Sequence, residues 1–294
     1  MIKQGQRLQH TIIRPAQIEG IGFLTGADVR LRFKPAPPDT GIVFVRVDLD
    51  PIVEIPARLE RVVSTQRRTV LGTGKAQIGL VEHVLAALAG LRIDNCYVEL
   101  NAPEPPGLDG SSRDFTTLLR RAGLRLQPAT RPIWTVEEPV QVSQGGATIT
   151  LHPAETGLTL SYLTDYSDWT PVGKQRFTVQ LTPGTFLSEL SASRTFIFEE
   201  EVAELRRQGL GARTTPADLL VFGKRGPIDN QVRWADEPAR HKSLDIVGDL
   251  ALFGQDLVGH LVAFRSGHAL NVELVRELAR RCAPPCQAPL RRAA

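Results

Sequence analysis

His241-Lys242-Ser243-Leu244-Asp245 places an imidazole and a carboxylate four residues apart. On a helix that spacing puts both groups on one face, where they can hold a single metal ion. The same spacing is, more often, that of a surface ion pair. Glu82-His83 opens an apolar run, flanked by Val81 and by Val84-Leu85-Ala86-Ala87-Leu88. Burying an acid and an imidazole there is costly unless each has a partner. The plainer reading is a helix start with Glu in the first turn, where the helix dipole favours it. Together, His83, His241 and Asp245 make a two-nitrogen, one-oxygen ligand set, which leaves the fourth position of a zinc ion for water and is the catalytic type of site. Zinc brings the pKa of such a water to about 7. Glu82, next to His83, can take that water's proton without being a ligand. His268, in Ser266-Gly267-His268-Ala269-Leu270-Asn271, lies between a glycine and a helix start. It can protonate a leaving amine, or simply cap the helix. Asp249, one turn beyond Asp245, can pair with His268 and keep it charged. His10, His152 and His260 show no partner pattern.

The elements that must position these residues are read from periodicity. Val29, Leu31 and Phe33 alternate with Arg30, Arg32 and Lys34, a half-exposed strand, and residues 41–47 read as its hairpin partner. Residues 80–91 have helical spacing and 96–100 are a short strand. Residues 111–122 are a helix capped by Ser111 or Ser112 and stopped at Gly123. Residues 127–132 read as a proline-containing joint between two domains, 1–127 and 132–281. In the second, 134–142, 147–152 and 158–164 are predicted strands, 193–208 and 239–253 are predicted helices, and a third helical run follows Gly267. Strands followed by helices, twice over, predict an α+β protein of two similar domains rather than a doubly wound parallel sheet. No dinucleotide or P-loop glycine fingerprint is present.

A chain of 294 residues suits two domains of average size. With 42% hydrophobic and 23% charged residues it reads as globular. A net charge of +3, with Lys and Arg spread along the chain, gives no footprint for nucleic acid. Residues 1–11 lack the apolar core of a secretory signal. The most apolar stretch, 244–264, is interrupted by Asp245, Asp249, Asp256 and His260, so stable membrane insertion is not expected. A cytoplasmic protein is expected. Cys96 reads as a buried inert thiol, and Cys282 and Cys286 fall in a flexible, proline-rich tail, 282–294.

Six segments taken together resemble the UDP-3-O-acyl-N-acetylglucosamine deacetylases: VEHVLAALAGLRIDN at 81–95, NAPE at 101–104, LDGS at 108–111, SRTF at 193–196, HKSLDIVGDL at 241–250 and SGHALN at 266–271. The resemblance runs from about residue 6 to 280. It implies two α+β domains, each a β-sheet with helices on one face, the helices sandwiched between the two sheets and the site at the junction. It implies Zn2+ held by His83, His241 and Asp245, Glu82 as general base, and His268 as general acid or electrostatic stabiliser oriented by Asp249. Thr195 would hold the oxyanion, Lys242 the nucleotide phosphates, and Phe196 the sugar or uridine. Val202, Thr214 and Val221 would line an apolar passage for the fatty acyl chain, walled by a helix at 198–208 and a strand at 219–222. The implied substrate is UDP-3-O-acyl-N-acetylglucosamine, deacetylated in the committed step of lipid A synthesis by a monomer. The rival readings are a zinc amidohydrolase acting on a different N-acetylated sugar and a non-enzymatic, zinc-stabilised binding protein. The sequence departs from the family at Leu24, where a His is usual, at Val70, where a Cys is common, at Arg265 for a Lys, and at 213–216 for a Gly-Gly-Ser run.

Overall fold

The computed structural model of the chain describes residues 1–166 and 171–282. Its first half runs β1 (Ile2–Ile12), β2 (Ala16–Ile21), β3 (Asp28–Pro35), β4 (Ile42–Arg46), β5 (Val53–Pro56), β6 (Val62–Ser64), β7 (Val70–Thr73), β8 (Ala76–Ile78), α1 (Glu82–Gly90), β9 (Cys96–Leu100) and α2 (Arg113–Ala122). β10 (Leu124–Thr135) crosses to the second half. There follow β11 (Val140–Gln144), β12 (Ala147–His152), β13 (Leu158–Tyr166), β14 (Gly173–Leu181), α3 (Pro183–Thr185), β15 (Phe196–Phe198) and α4 (Glu199–Arg207). The chain continues with β16 (Leu220–Gly223), β17 (Gly226–Pro227), α5 (Glu237–Leu250), β18 (Asp256–Leu257), β19 (Gly259–Phe264) and α6 (His268–Cys282).

The two halves repeat one topology. The first five-stranded sheet has the order β2-β3-β9-β4-β5 and the second β11-β12-β19-β13-β14. In each, two hairpins flank a central strand that follows a helix, antiparallel to one neighbour and parallel to the other. A single apolar core joins them, from Phe33 and Phe44 of the first sheet through Leu85, Leu88, Leu244 and Val247 to Leu160 and Leu261 of the second. The architecture is α+β. Eight of nine residues of α1 and twelve of fourteen of α5 are buried, the signature of helices enclosed on every side. Their apposition is set by Gly248 of α5. A Cβ there would lie 2.2 Å from the Glu82 carbonyl oxygen, so only glycine admits this approach. Two small three-stranded sheets, β6-β7-β8 and β15-β16-β17, are inserted one in each half.

Several elements differ from the expectation. Residues 41–47 are not the hairpin partner of β3. β4 lies parallel to β9 and antiparallel to β5, because Val43, Phe44 and Val45 are all buried and need cover on both faces. The segment 127–132, read as a proline-containing joint, is part of β10, which pairs with β1 on both sides of a bulge at 128–129. The predicted strand 134–142 is broken after Thr135 and resumes at Val140, with Pro139 unable to donate to a ladder. The helix expected over 193–208 starts only at Glu199. Phe196, Ile197 and Phe198 instead pair in parallel with residues 220–222, as β-branched and aromatic residues favour, and the acidic run Glu199 to Glu201 then opens the helix. Cys282 ends α6 rather than beginning a tail; Cys286 and the rest of 283–294 lie outside the described residues.

Candidate metal centre and active site

α1 enters the site at its N-terminus with Glu82 and His83, and α5 presents His241, Asp245 and Asp249 on successive turns of one face. One ligand atom from each of His83, His241 and Asp245 lies within 4.8 Å of the others. The Nε2 atoms of His83 and His241 both converge on Asp245 Oδ1, at 3.7 and 3.2 Å. The two rings stand nearly perpendicular, with centroids 5.0 Å apart. His241 Nδ1 donates to the Ser193 carbonyl at 3.2 Å, which fixes the tautomer and leaves the Nε2 lone pair facing the cluster. On the far side of His83, Ser112 Oγ donates to its carbonyl at 2.7 Å. Ser112 therefore does not cap α2 with its side chain; Ser111 Oγ accepts from the Arg113 amide instead. Three buried groups, two imidazoles and one carboxylate, gathered around a common point fit a divalent cation.

The electrostatics follow from burial. Desolvation holds His83 below its ordinary pKa, against the hydrogen bond it makes to Asp245. Desolvation works against ionising Asp245 too, but the charges of His241 and Lys242 outweigh it and keep the carboxyl well below its usual range. Burial pushes Glu82 up to about 7, opposed by the charge of His268. For His268, burial is outweighed by the charges of Asp249 and Glu82, which raise it to about 9. His268 Nδ1 donates to Asp249 Oδ2 at 2.8 Å. Its Nε2 stands 3.9 Å from both Glu82 Oε1 and Asp245 Oδ2.

The remaining expected residues are placed around this cluster. Thr195 is held by its amide, which donates to the Gly110 carbonyl at 2.8 Å. Gly110 has φ +80, and a Cβ there would lie 2.9 Å from the Asp218 carbonyl oxygen and 3.1 Å from Thr195 Cγ2. Lys242 Nζ donates to Asp245 Oδ2 at 3.0 Å and lies 5.7 Å from the centroid of the Phe196 ring. Thr195, Phe196, Val202, Thr214, Val221 and Lys242 all line one cavity of ≈ 890 Å³ that also takes in Glu82, His83, His241, Asp245 and His268. Leu24 lies on its wall; Val70 is buried in β7. Arg213 donates to Gly26 O and Asp28 Oδ1 at 2.8 and 2.9 Å, and Thr214 Oγ1 to Phe23 O at 2.8 Å. These contacts tie the 213–216 segment to the loop that carries Leu24. A second cavity, ≈ 680 Å³, lies behind α1 and α5 beside Arg7, Asp94 and Asp256, away from the cluster.

Sequence reasoning assigned no role to Asn271, Thr69, Arg194 and Glu237, which shape the site. Asn271 Nδ2 donates to Asp249 Oδ2 at 2.9 Å. Thr69 touches Glu82, Asp249 and His268. The buried Arg194 clasps Glu237 through Nε at 2.9 Å and Nη2 at 3.0 Å, pinning the Ser193 to Thr195 segment to the start of α5. Arg194 and Asn271 stand inside recognisable motifs; Thr69 stands in none. Among the other histidines, His260 Nε2 lies 2.9 Å from Ser161 Oγ, within the second sheet and away from the cluster.

The sequence pattern of the family described as UDP-3-O-acyl N-acetylglycosamine deacetylase matches residues 9–280. A protein of Anaeromyxobacter dehalogenans (strain 2CP-C) named UDP-3-O-acyl-N-acetylglucosamine deacetylase is 41% identical over 271 residues, covering 92% of this chain and 87% of its own length. Proteins with the same name from Anaeromyxobacter sp. (strain Fw109-5) and Myxococcus xanthus (strain DK1622) are 41% and 40% identical over 92% of the chain, covering 88% and 86% of their own lengths. No helix among the described residues is long and apolar enough to cross a membrane.

Proposed function

Because the chain belongs to the UDP-3-O-acyl N-acetylglycosamine deacetylase family, we propose that it hydrolyses the acetamide of UDP-3-O-acyl-N-acetylglucosamine, releasing acetate and UDP-3-O-acyl-glucosamine in lipid A biosynthesis, with zinc held by His83, His241 and Asp245. The observation that carries this reading is the convergence of two imidazoles and a carboxylate, with Glu82 and His268 beside them, at one cavity with apolar walls. Zinc bound there supplies Lewis-acid polarisation of the acetamide carbonyl and a lowered pKa for water.

The chain's own groups supply the rest. Glu82, its proton affinity raised by burial, takes a proton from the attacking water as the water oxygen bonds to the carbonyl carbon. Thr195 donates to the oxygen on which negative charge develops. His268, kept charged by Asp249, gives its proton to the nitrogen as the carbon–nitrogen bond breaks, so the amine leaves neutral. Lys242 is placed to meet the diphosphate and Phe196 the sugar or uridine. Val202, Thr214 and Val221 flank the acyl chain, an arrangement supported by their position on the wall of the ≈ 890 Å³ cavity. We assign the boundary between the two repeating units to β10. Action as a monomer in the cytoplasm, where the free, buried Cys96 thiol would stay reduced, belongs to the same proposal.

The test is acetate release from the acylated UDP-sugar and from UDP-N-acetylglucosamine, with metal content measured alongside. Wild type should turn over the acylated sugar far faster, and Glu82→Ala should lose about 10²–10⁴-fold in kcat with zinc retained. Equal rates on the two sugars would remove the acyl passage from the reading, and full activity in Glu82→Ala would remove the general base.

A further inference from the structure

Thr69 precedes β7 in the first half of the chain and is 0% exposed. Two of its groups are used at once. Its amide donates to Glu82 Oε2 at 3.1 Å, and its hydroxyl donates to Asp249 Oδ1 at 2.6 Å. Glu82 belongs to the first half and Asp249 to the second, so one residue ties the two carboxylates across the junction.

The hydrogen-bond inventory gives these contacts a direction. Ionised Asp249 only accepts, and it meets three donors: Thr69 Oγ1 on Oδ1, His268 Nδ1 and Asn271 Nδ2 on Oδ2. A hydroxyl has a single proton. With it committed to Asp249, Thr69 Oγ1 has none for His268 Nδ1, 3.4 Å away. The ring therefore keeps its Nδ1 proton for Asp249 and turns Nε2 to Glu82 Oε1. On Glu82, the Thr69 amide occupies Oε2 and leaves Oε1, the oxygen toward His268, as the one that exchanges protons. We propose that Thr69 is a positioning residue for the hydrolysis, fixing the base and the acid relative to each other from the side remote from substrate. This rests on the roles given to Glu82 and His268 in the preceding section.

The test uses the full chain loaded with zinc and the acylated UDP-sugar. Thr69→Val keeps the amide and the shape but deletes the hydroxyl; Thr69→Ser keeps both donors. Thr69→Val should lower kcat about 10–100-fold, the cost of a slight misplacement of reacting groups, with KM and zinc content unchanged. Thr69→Ser should recover most of that loss. A readout independent of turnover is the downfield proton NMR signal of His268 Nδ1–H, which should weaken or shift in Thr69→Val and persist in Thr69→Ser. Full kcat in Thr69→Val, equal losses in Val and Ser, a loss that tracks missing zinc, or an unchanged His268 signal in Thr69→Val each overturn the proposal. Glu82→Ala separates the two readings. If it retains full activity, the acid–base reading falls and this proposal with it; if it is inactive while Thr69→Val is normal, only the role of Thr69 falls.

Discussion

Glu82 and His268 stand 3.9 Å apart with both proton affinities raised, the carboxyl up to about 7 and the imidazole up to about 9. Both are buried, so each is tuned by a few fixed neighbours rather than by solvent. Thr195 belongs to the same scale. In the proposed mechanism it adds a donor where charge develops and no ligand to the metal cluster, so Thr195→Val should lower kcat by about 10²–10³-fold with little change in KM or zinc content. Steady-state kinetics with elemental analysis checks this, and a large rise in KM at constant kcat would show Thr195 to be a binding group instead. Residues of this kind were readable from sequence when their partners were close in the chain. His241, Asp245 and Asp249 announce themselves by helical spacing. Thr69 does not, because its hydroxyl meets Asp249 across 180 residues and no local pattern marks the encounter.

The elements matter chiefly through how closely α1 and α5 approach. Gly248→Ala places a Cβ 2.2 Å from the Glu82 carbonyl oxygen, and the helices must part to admit it. Overpacking of this sort costs about 1–3 kcal/mol, and here it also separates His83 from His241 and Asp245. The expected outcome is a lower melting temperature together with reduced zinc stoichiometry. Gly5→Ala, where nothing lies within 4 Å of the added Cβ, should change neither. Periodicity foretold α1, α5 and α6 because long apolar patterns are strong signals. It misread 196–198, where a three-residue strand stands directly before an acidic helix start, and it misjudged β4, whose neighbours come from distant sequence. Pairing partners are a property of the assembled sheet.

For the molecule as a whole, the two halves are joined through β1 and β10, and their far end is clasped by charge. Arg7 reaches Asp94 at 2.7 Å and Asp256 at 2.5 Å, and Arg131 reaches Asp256 at 2.7 Å. Burial disfavours ionised Asp256, but the hydrogen bond from Arg7 and the charge of Arg131 prevail and lower its pKa. A carboxyl depressed in the folded state stabilises the protein above its unfolded pKa, about 3.9, and that contribution fades as pH falls through the folded value. Asp256→Asn should therefore cost about 1–3 kcal/mol near neutral pH. The gap between wild type and variant in urea melts should narrow as the pH is taken below 4; a gap independent of pH would mean that charge is not what Asp256 contributes. The duplicated α+β plan was visible in sequence as strands then helices, twice. The single core that fuses the copies was not, since composition carries no record of which apolar faces meet.

The repeated topology has a temporal side. In each five-stranded sheet the middle strand is the last to be synthesised, β9 in one and β19 in the other. Until β19 emerges, the hairpins β11–β12 and β13–β14 have no backbone bonds to each other, and each offers an open edge to foreign strands. A nascent or clipped chain ending before Gly259 would already contain His83, His241 and Asp245, yet it would have no means of closing the sheet behind them. Aggregation of such fragments, rather than a merely weakened enzyme, is what late truncation should produce.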